Sequence, residues 1–151
     1  MGRFPRDALI GLFAAAMVSM VANGAHAAAW AAWLAPFLWL WALHRLTPRA
    51  GALLGGVGYA AATLVAARGM LPVPGVFYAL AATVIGLGAL SPYVFHRVLA
   101  PRLPAPLYPL VLPTLATALE FLSGHLSPFG SFGAVAYTQV GCLPLLQLAA
   151  L

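Results

Sequence analysis

Charged side chains are scarce in this sequence, and their scarcity excludes most classes of soluble protein. Only 6% of the 151 residues are charged and 64% are hydrophobic, whereas about a quarter of the residues in a typical soluble domain are charged. The acids are Asp7 and Glu120, and lysine is absent. The composition therefore predicts an integral membrane protein.

The cysteine and arginine content bears on disulfides, metal sites and nucleic-acid binding. The single cysteine, Cys142, excludes an intramolecular disulfide and any metal site built from several cysteines. Seven arginines give a net charge of +5, but no basic patch is interleaved with aromatic residues. The sequence therefore favours no nucleic-acid partner. In a membrane chain, such a basic excess sets the orientation in the bilayer.

Long uncharged runs predict the fold class, which is all-α: a bundle of transmembrane helices in a single domain over residues 1–151. A helix needs about 20 apolar residues to cross a bilayer core of about 30 Å. Five runs approach this length, and a sixth is incomplete. They cover residues 8–25, 27–43, 50–67, 76–95, 107–122 and 143–151.

Two of these runs carry further signals. Residues 1–27 also fit a secretory signal peptide, because a basic start and an apolar middle precede the small-x-small pattern Ala25-His26-Ala27. A cleaved signal is therefore an alternative to the first span.

The second run holds all the tryptophans toward its ends, where indole rings favour the membrane–water boundary. They are Trp30, Trp33, Trp39 and Trp41.

The arginines predict the orientation of the bundle. With the N-terminus in the cytoplasm, only Arg68 lies on the outer side. The cytoplasmic arginines are then Arg3, Arg6, Arg45, Arg49, Arg97 and Arg102. This bias follows the positive-inside rule for short loops. It places a glycine-rich break over residues 123–142, which is predicted to be a loop or a re-entrant segment, on the outer side.

Glu120 is the only acid inside an apolar run. A charged carboxylate at the bilayer centre costs about 2.5–3.5 kcal/mol on insertion scales, so Glu120 must face protein, lie near an interface or be protonated. We predict a lipid-accessible outer mouth where the fifth helix meets the break. Its residues are Glu120, Thr117, Ser131, Tyr137 and Gln139. The alternative is that Glu120 is a structural acid that ties the fifth helix to its neighbours.

The segment after Glu120 carries a resemblance to a known family. Gly130-Ser131-Phe132-Gly133 is followed by Ala136-Tyr137-Thr138-Gln139 and then by Pro144-Leu145-Leu146-Gln147. An acid followed by these three stretches resembles the membrane part of the apolipoprotein N-acyltransferases. The resemblance covers residues 114–147.

The resemblance implies a reaction at the outer face of the bacterial inner membrane. The family transfers an acyl chain from a phospholipid to the N-terminal cysteine amine of a lipoprotein, with a Glu-Lys-Cys triad on a nitrilase-like domain. This chain has neither that domain nor a lysine. We therefore expect a membrane-embedded N-terminal portion, from a truncated or split gene product, that is inactive alone.

The implied partners are membrane phospholipid and, if a catalytic domain is supplied, a lipoprotein substrate. No cofactor is implied. The alternative function is a non-enzymatic membrane scaffold or partner subunit.

The remaining polar residues predict no catalytic or metal site. Cys142 has no lysine to pair with, so we interpret it as a small apolar residue. His26, His44 and His96 fall at helix ends with no shared loop or spacing, which does not match a metal-ligand pattern. His125 is interpreted as an interfacial residue.

Overall fold

The protein is an all-helical bundle in the computed structural model, which describes residues 5–23, 27–126 and 134–140. The α-helices are α1 (Arg6–Ser19), α2 (Ala29–His44), α3 (Pro48–Ala66), α4 (Gly75–Leu99) and α5 (Tyr108–Leu126). Three 3-10 helices cover Ala100–Arg102, Ala105–Leu107 and Val135–Gln139. No described residue lies in a strand, so the predicted all-α class is confirmed for this part of the chain.

In the part of the chain that the structure describes, three helical segments are long and apolar enough to cross a membrane. They cover Pro48–Ala66, Gly75–Arg102 and Ala105–Leu126. The helices α1 and α2 have 14 and 16 residues, or about 21–24 Å at 1.5 Å per residue, which is shorter than a bilayer core of about 30 Å. The predicted total of five spans therefore stays a prediction, and the sixth run at residues 143–151 lies outside the described residues.

The first helix ends earlier than its uncharged run. The sequence predicts a span to residue 25, but α1 ends at Ser19 and a turn follows over residues 20–22. Absence of charge does not distinguish a helix from a turn, and Asn23, which follows the turn, is a weak helix former.

The third helix has a clear capping signal at its start. Thr47 Oγ1 accepts a hydrogen bond from the Ala50 N–H at 3.3 Å, and Pro48 occupies the first turn.

A close approach of two backbones joins α3 to α4. A Cβ added to Gly86 would lie 3.0 Å from Ala60 Cα and 3.1 Å from the Tyr59 carbonyl oxygen. Any larger residue at position 86 would force the helices apart. Small residues serve this purpose in membrane bundles, where close van der Waals packing holds helices together.

The core of the bundle is centred on Trp39. Its side chain is 0% exposed, and it is packed inside the bundle. The Trp39 indole N–H donates to Ser19 Oγ at 2.8 Å, and the Ser19 hydroxyl donates to the Ala15 carbonyl oxygen at 2.8 Å. Tyr59 stacks on Trp39 with 4.9 Å between ring centroids, and Tyr93 lies 6.1 Å from Tyr59. These contacts join α1, α2, α3 and α4.

The last helix is peripheral to this core. It packs on α4, and Val111 is its only buried residue. Most of its apolar surface is therefore exposed to the surroundings of the bundle.

We predict that Ser19→Ala destabilises the bundle by about 1–2 kcal/mol, because the buried Trp39 N–H loses its acceptor. The free energy of unfolding would be measured in mixed micelles titrated with a denaturing detergent. Ser91→Ala is the matched control, since the Ser91 hydroxyl donates to the Gly88 carbonyl of its own helix at 2.7 Å. It should cost less than about 0.5 kcal/mol. Equal stability of the two variants would contradict the role given to Ser19.

Candidate functional site

Glu120 is hydrogen-bonded to a residue that follows the glycine-rich break in the chain. Its side chain lies exposed on α5, and its Oε1 atom accepts a hydrogen bond from the Val135 N–H at 2.9 Å. Val135 is the first residue of the 3-10 helix Val135–Gln139. The first N–H groups of a helix lack internal acceptors and carry partial positive charge. The carboxylate therefore satisfies one of these groups and stabilises the start of the 3-10 helix.

Gln139 joins the other end of the same 3-10 helix to α2. Its Nε2 atom donates to the Ala29 carbonyl oxygen at 3.2 Å and to Thr138 Oγ1 at 2.8 Å. Its Oε1 atom lies 3.4 Å from the Trp33 Nε1 donor. Thr138 is buried, and its hydroxyl donates to the Val135 carbonyl oxygen at 2.7 Å. The amide nitrogen and the amide oxygen of Gln139 therefore both contact residues in the first turns of α2.

These contacts form one unit, which we call the polar bridge. It consists of Glu120, the 3-10 helix Val135–Gln139, the Ala29 carbonyl group and the Trp33 indole. The 3-10 helix is thereby held between the C-terminal half of α5 and the N-terminal end of α2. Two helices that are far apart in sequence are connected by hydrogen bonds at one end of the bundle.

The structure brings together part of the predicted mouth. Glu120 and Gln139 belong to the polar bridge, and Tyr137 lies in the same 3-10 helix with 57% of its surface exposed. Thr117 lies exposed one turn before Glu120 on α5. Ser131 lies outside the described residues.

Three members of the bridge were not predicted from the sequence: the Val135 N–H, the Ala29 carbonyl group and the Trp33 indole. The partner of Glu120 is the backbone N–H of Val135, and backbone groups have no signature in the residue types. Trp33 had a usable signal, because an indole placed near a membrane boundary retains an N–H that needs an acceptor.

A second polar cluster lies where the C-terminal ends of α2 and α4 meet, at the other end of α2 from the polar bridge. The His44 and His96 rings lie 5.6 Å apart and the His96 and Tyr108 rings 5.2 Å apart, both edge to face. The Arg97 guanidinium donates to the carbonyl oxygens of Leu43 and Leu46. Arg97 thereby satisfies acceptors at the C-terminal end of α2, where a cation is favourable. His44 and His96 lie in the last turns of their helices, as expected, and the structure adds that their rings meet in space.

Neither cluster is built like a metal centre. Within the described residues, no three histidine, cysteine, aspartate or glutamate side chains are close enough to hold a metal ion. The polar bridge can present hydrogen-bonding groups beside exposed apolar side chains.

No protein-family model, curated protein or solved structure matches the chain. We therefore argue function from the described contacts and from the residues of the motif itself.

We predict that Glu120→Gln leaves the bridge in place, because an amide oxygen still accepts from the Val135 N–H, whereas Glu120→Leu removes the acceptor. The loss should cost about 1 kcal/mol, seen as faster hydrogen exchange of residues 134–140 in lipid nanodiscs. Thr117→Leu is the matched control, one turn earlier on the same helix. Unchanged protection of residues 134–140 in Glu120→Leu would show that the carboxylate does not hold the 3-10 helix.

Proposed function

We propose that the chain is the membrane-embedded N-terminal portion of an apolipoprotein N-acyltransferase-like protein, and that the polar bridge shapes its lipid-accessible outer mouth. The observation that carries the proposal is the hydrogen bond from the Val135 N–H to Glu120. It connects the acid that precedes the motif to the segment Ala136–Gln139 that follows the break. Among the described residues of the resemblance, Glu120 and the 3-10 helix that contains Ala136–Gln139 thus belong to one contact unit.

Lipid access is supported by the side chains around the bridge. Trp33 and Phe121 are about two-thirds exposed, at 66% and 63%, and lie on the helices that the bridge connects. Exposed aromatic and aliphatic groups beside a carboxylate and an amide suit a phospholipid, whose acyl chains are apolar and whose headgroup is polar. The bridge would position the lipid at the mouth.

The chemistry of acyl transfer is assigned to a separate domain. The chain has no lysine, so the Glu-Lys-Cys triad of the family cannot be assembled from it. Glu120 is therefore proposed as a structural and lipid-positioning residue. A lipoprotein becomes a substrate only where a nitrilase-like domain is supplied.

The proposed location is the bacterial inner membrane, with the N-terminus cytoplasmic. Arg97 contacts the C-terminal end of α2, which carries Arg45. Basic residues of two helices are thus collected at one end of the bundle, and the polar bridge lies at the N-terminal end of α2. This separation supports an outer position for the bridge under the positive-inside rule.

The second candidate is a non-enzymatic scaffold or partner subunit. The exposed apolar surface of α5 favours it, since Leu110, Phe121 and Leu126 are 57%, 63% and 79% exposed. In a bilayer such a surface can contact lipid tails or the helix of a partner protein.

A photoactivatable phospholipid in nanodiscs distinguishes the two candidates. We expect crosslinks within residues 117–140, and we expect Glu120→Leu to reduce them relative to the crosslinks on α3, because the mouth loses its anchored 3-10 helix. Leu110→Ala, an exposed position near the start of α5 and outside the mouth, serves as the control. Equal crosslinking of the parent and Glu120→Leu would favour the scaffold.

The same nanodiscs test whether the chain is inactive alone. A lipopeptide with a free N-terminal cysteine amine is added, and its mass is followed. We expect no acylation, because these 151 residues contain no lysine and cannot supply the Glu-Lys-Cys triad. Conversion of the lipopeptide by this chain alone would contradict the proposal.

A further inference from the structure

His96 is a buried titratable group without a hydrogen-bonding partner at one nitrogen. Its side chain is 3% exposed. Its Nδ1 atom is buried and has no hydrogen-bond partner among the described residues. The ring is enclosed by His44 from α2 and Tyr108 from α5. A neutral imidazole tolerates this position better than an imidazolium, which would bury a charge and an unsatisfied N–H donor.

The tautomer of the neighbouring histidine follows from its contacts. His44 Nδ1 lies 2.8 Å from the Leu40 carbonyl oxygen, and a carbonyl can only accept, so Nδ1 carries the proton. In the neutral ring, Nε2 is then the acceptor, and the Tyr108 hydroxyl lies 3.4 Å from it. Protonation at Nε2 would remove this acceptor and place a positive charge beside the His96 ring.

The charged groups near the pair do not offset such a charge. The helix ends at this end of the bundle carry only cations and neutral groups. These are His44 and Arg45 at the end of α2, Arg49 at the start of α3, Arg97 at the end of α4, Arg102 in the following 3-10 helix and Tyr108 at the start of α5. Glu120, the one acid of these elements, lies in the C-terminal half of α5. The acids Asp7 and Glu120 hydrogen-bond to neither imidazole within the described part of the chain. Protonation would therefore add positive charge to a region that is already basic.

From this geometry we propose that His44, His96 and Tyr108 form a proton-sensitive junction between α5 and the rest of the bundle. When both imidazoles are neutral, the three rings pack and hold the N-terminal end of α5 on α4. When they take up protons, the junction opens and that end of α5 separates. The helix that moves is α5, because it packs on α4 and has only Val111 buried.

The direction of the pH dependence follows from the proton count. The open junction binds more protons than the packed one, so acidification favours the open state and raising the pH favours the packed state. The measurement therefore runs from about pH 8 to about pH 5, the range in which histidine side chains change charge in proteins.

The test uses the full chain in lipid nanodiscs, with spin labels on α3 and α5 in a Cys142→Ala background. The label sites are Leu53 and Leu110, both exposed. We expect the distance distribution to move to longer values and to broaden on acidification. His96→Phe, which keeps an aromatic ring beside Tyr108 and cannot take up a proton, should weaken the shift, because only His44 then remains to respond. His125→Gln, at the far end of α5, should leave it intact.

A second variant keeps the proposal testable if His96→Phe does not fold. His44→Gln alters an exposed side chain and removes one of the two titrating rings. The transition should become less steep, because fewer protons are linked to opening. Either of two results would overturn the junction: no pH dependence in the parent, or the same shift and steepness in the histidine variants as in the parent.

Discussion

The hydrogen bond from the Trp39 indole to Ser19 is the contact on which the rest of the bundle depends. It pairs a buried donor with a buried acceptor between α1 and α2. It also fixes the indole face against Tyr59 of α3. In an apolar environment, an unpaired N–H would oppose this packing. α5 and the 3-10 helix Val135–Gln139 pack on the outside of this four-helix frame.

The polar groups of this apolar chain are concentrated at helix ends, where backbone groups need partners. Arg97 donates to carbonyl oxygens at the end of α2, and Glu120 accepts from an N–H at the start of the 3-10 helix. Each charge thereby faces the end of a helix dipole that favours it. The two contacts stabilise opposite ends of the bundle, and these are the ends that carry the proposed junction and the proposed mouth.

Local pattern was enough for the helical class and for the need of Glu120 to find a partner, because both follow from hydrophobicity and the cost of a buried charge. It was not enough for pairings between distant segments. His44 and His96 meet although they are 52 positions apart (96 − 44), and nothing in either flanking sequence encodes that approach. The burial of Trp39 in the core was not predicted for the same reason. A tryptophan near the end of a run suits a boundary or a core equally well, and only the arrangement of the neighbouring helices decides.

The central claim is that the polar bridge lies at the outer end of a membrane bundle whose arginine-rich end faces the cytoplasm. The most direct measurement is cysteine labelling with a membrane-impermeant reagent in intact cells, in a Cys142→Ala background. Thr47→Cys lies between α2 and α3, and Met70→Cys lies between α3 and α4. Met70→Cys should react in intact cells and Thr47→Cys only after lysis. Labelling of Thr47→Cys in intact cells would contradict the orientation and, with it, the outer position of the bridge.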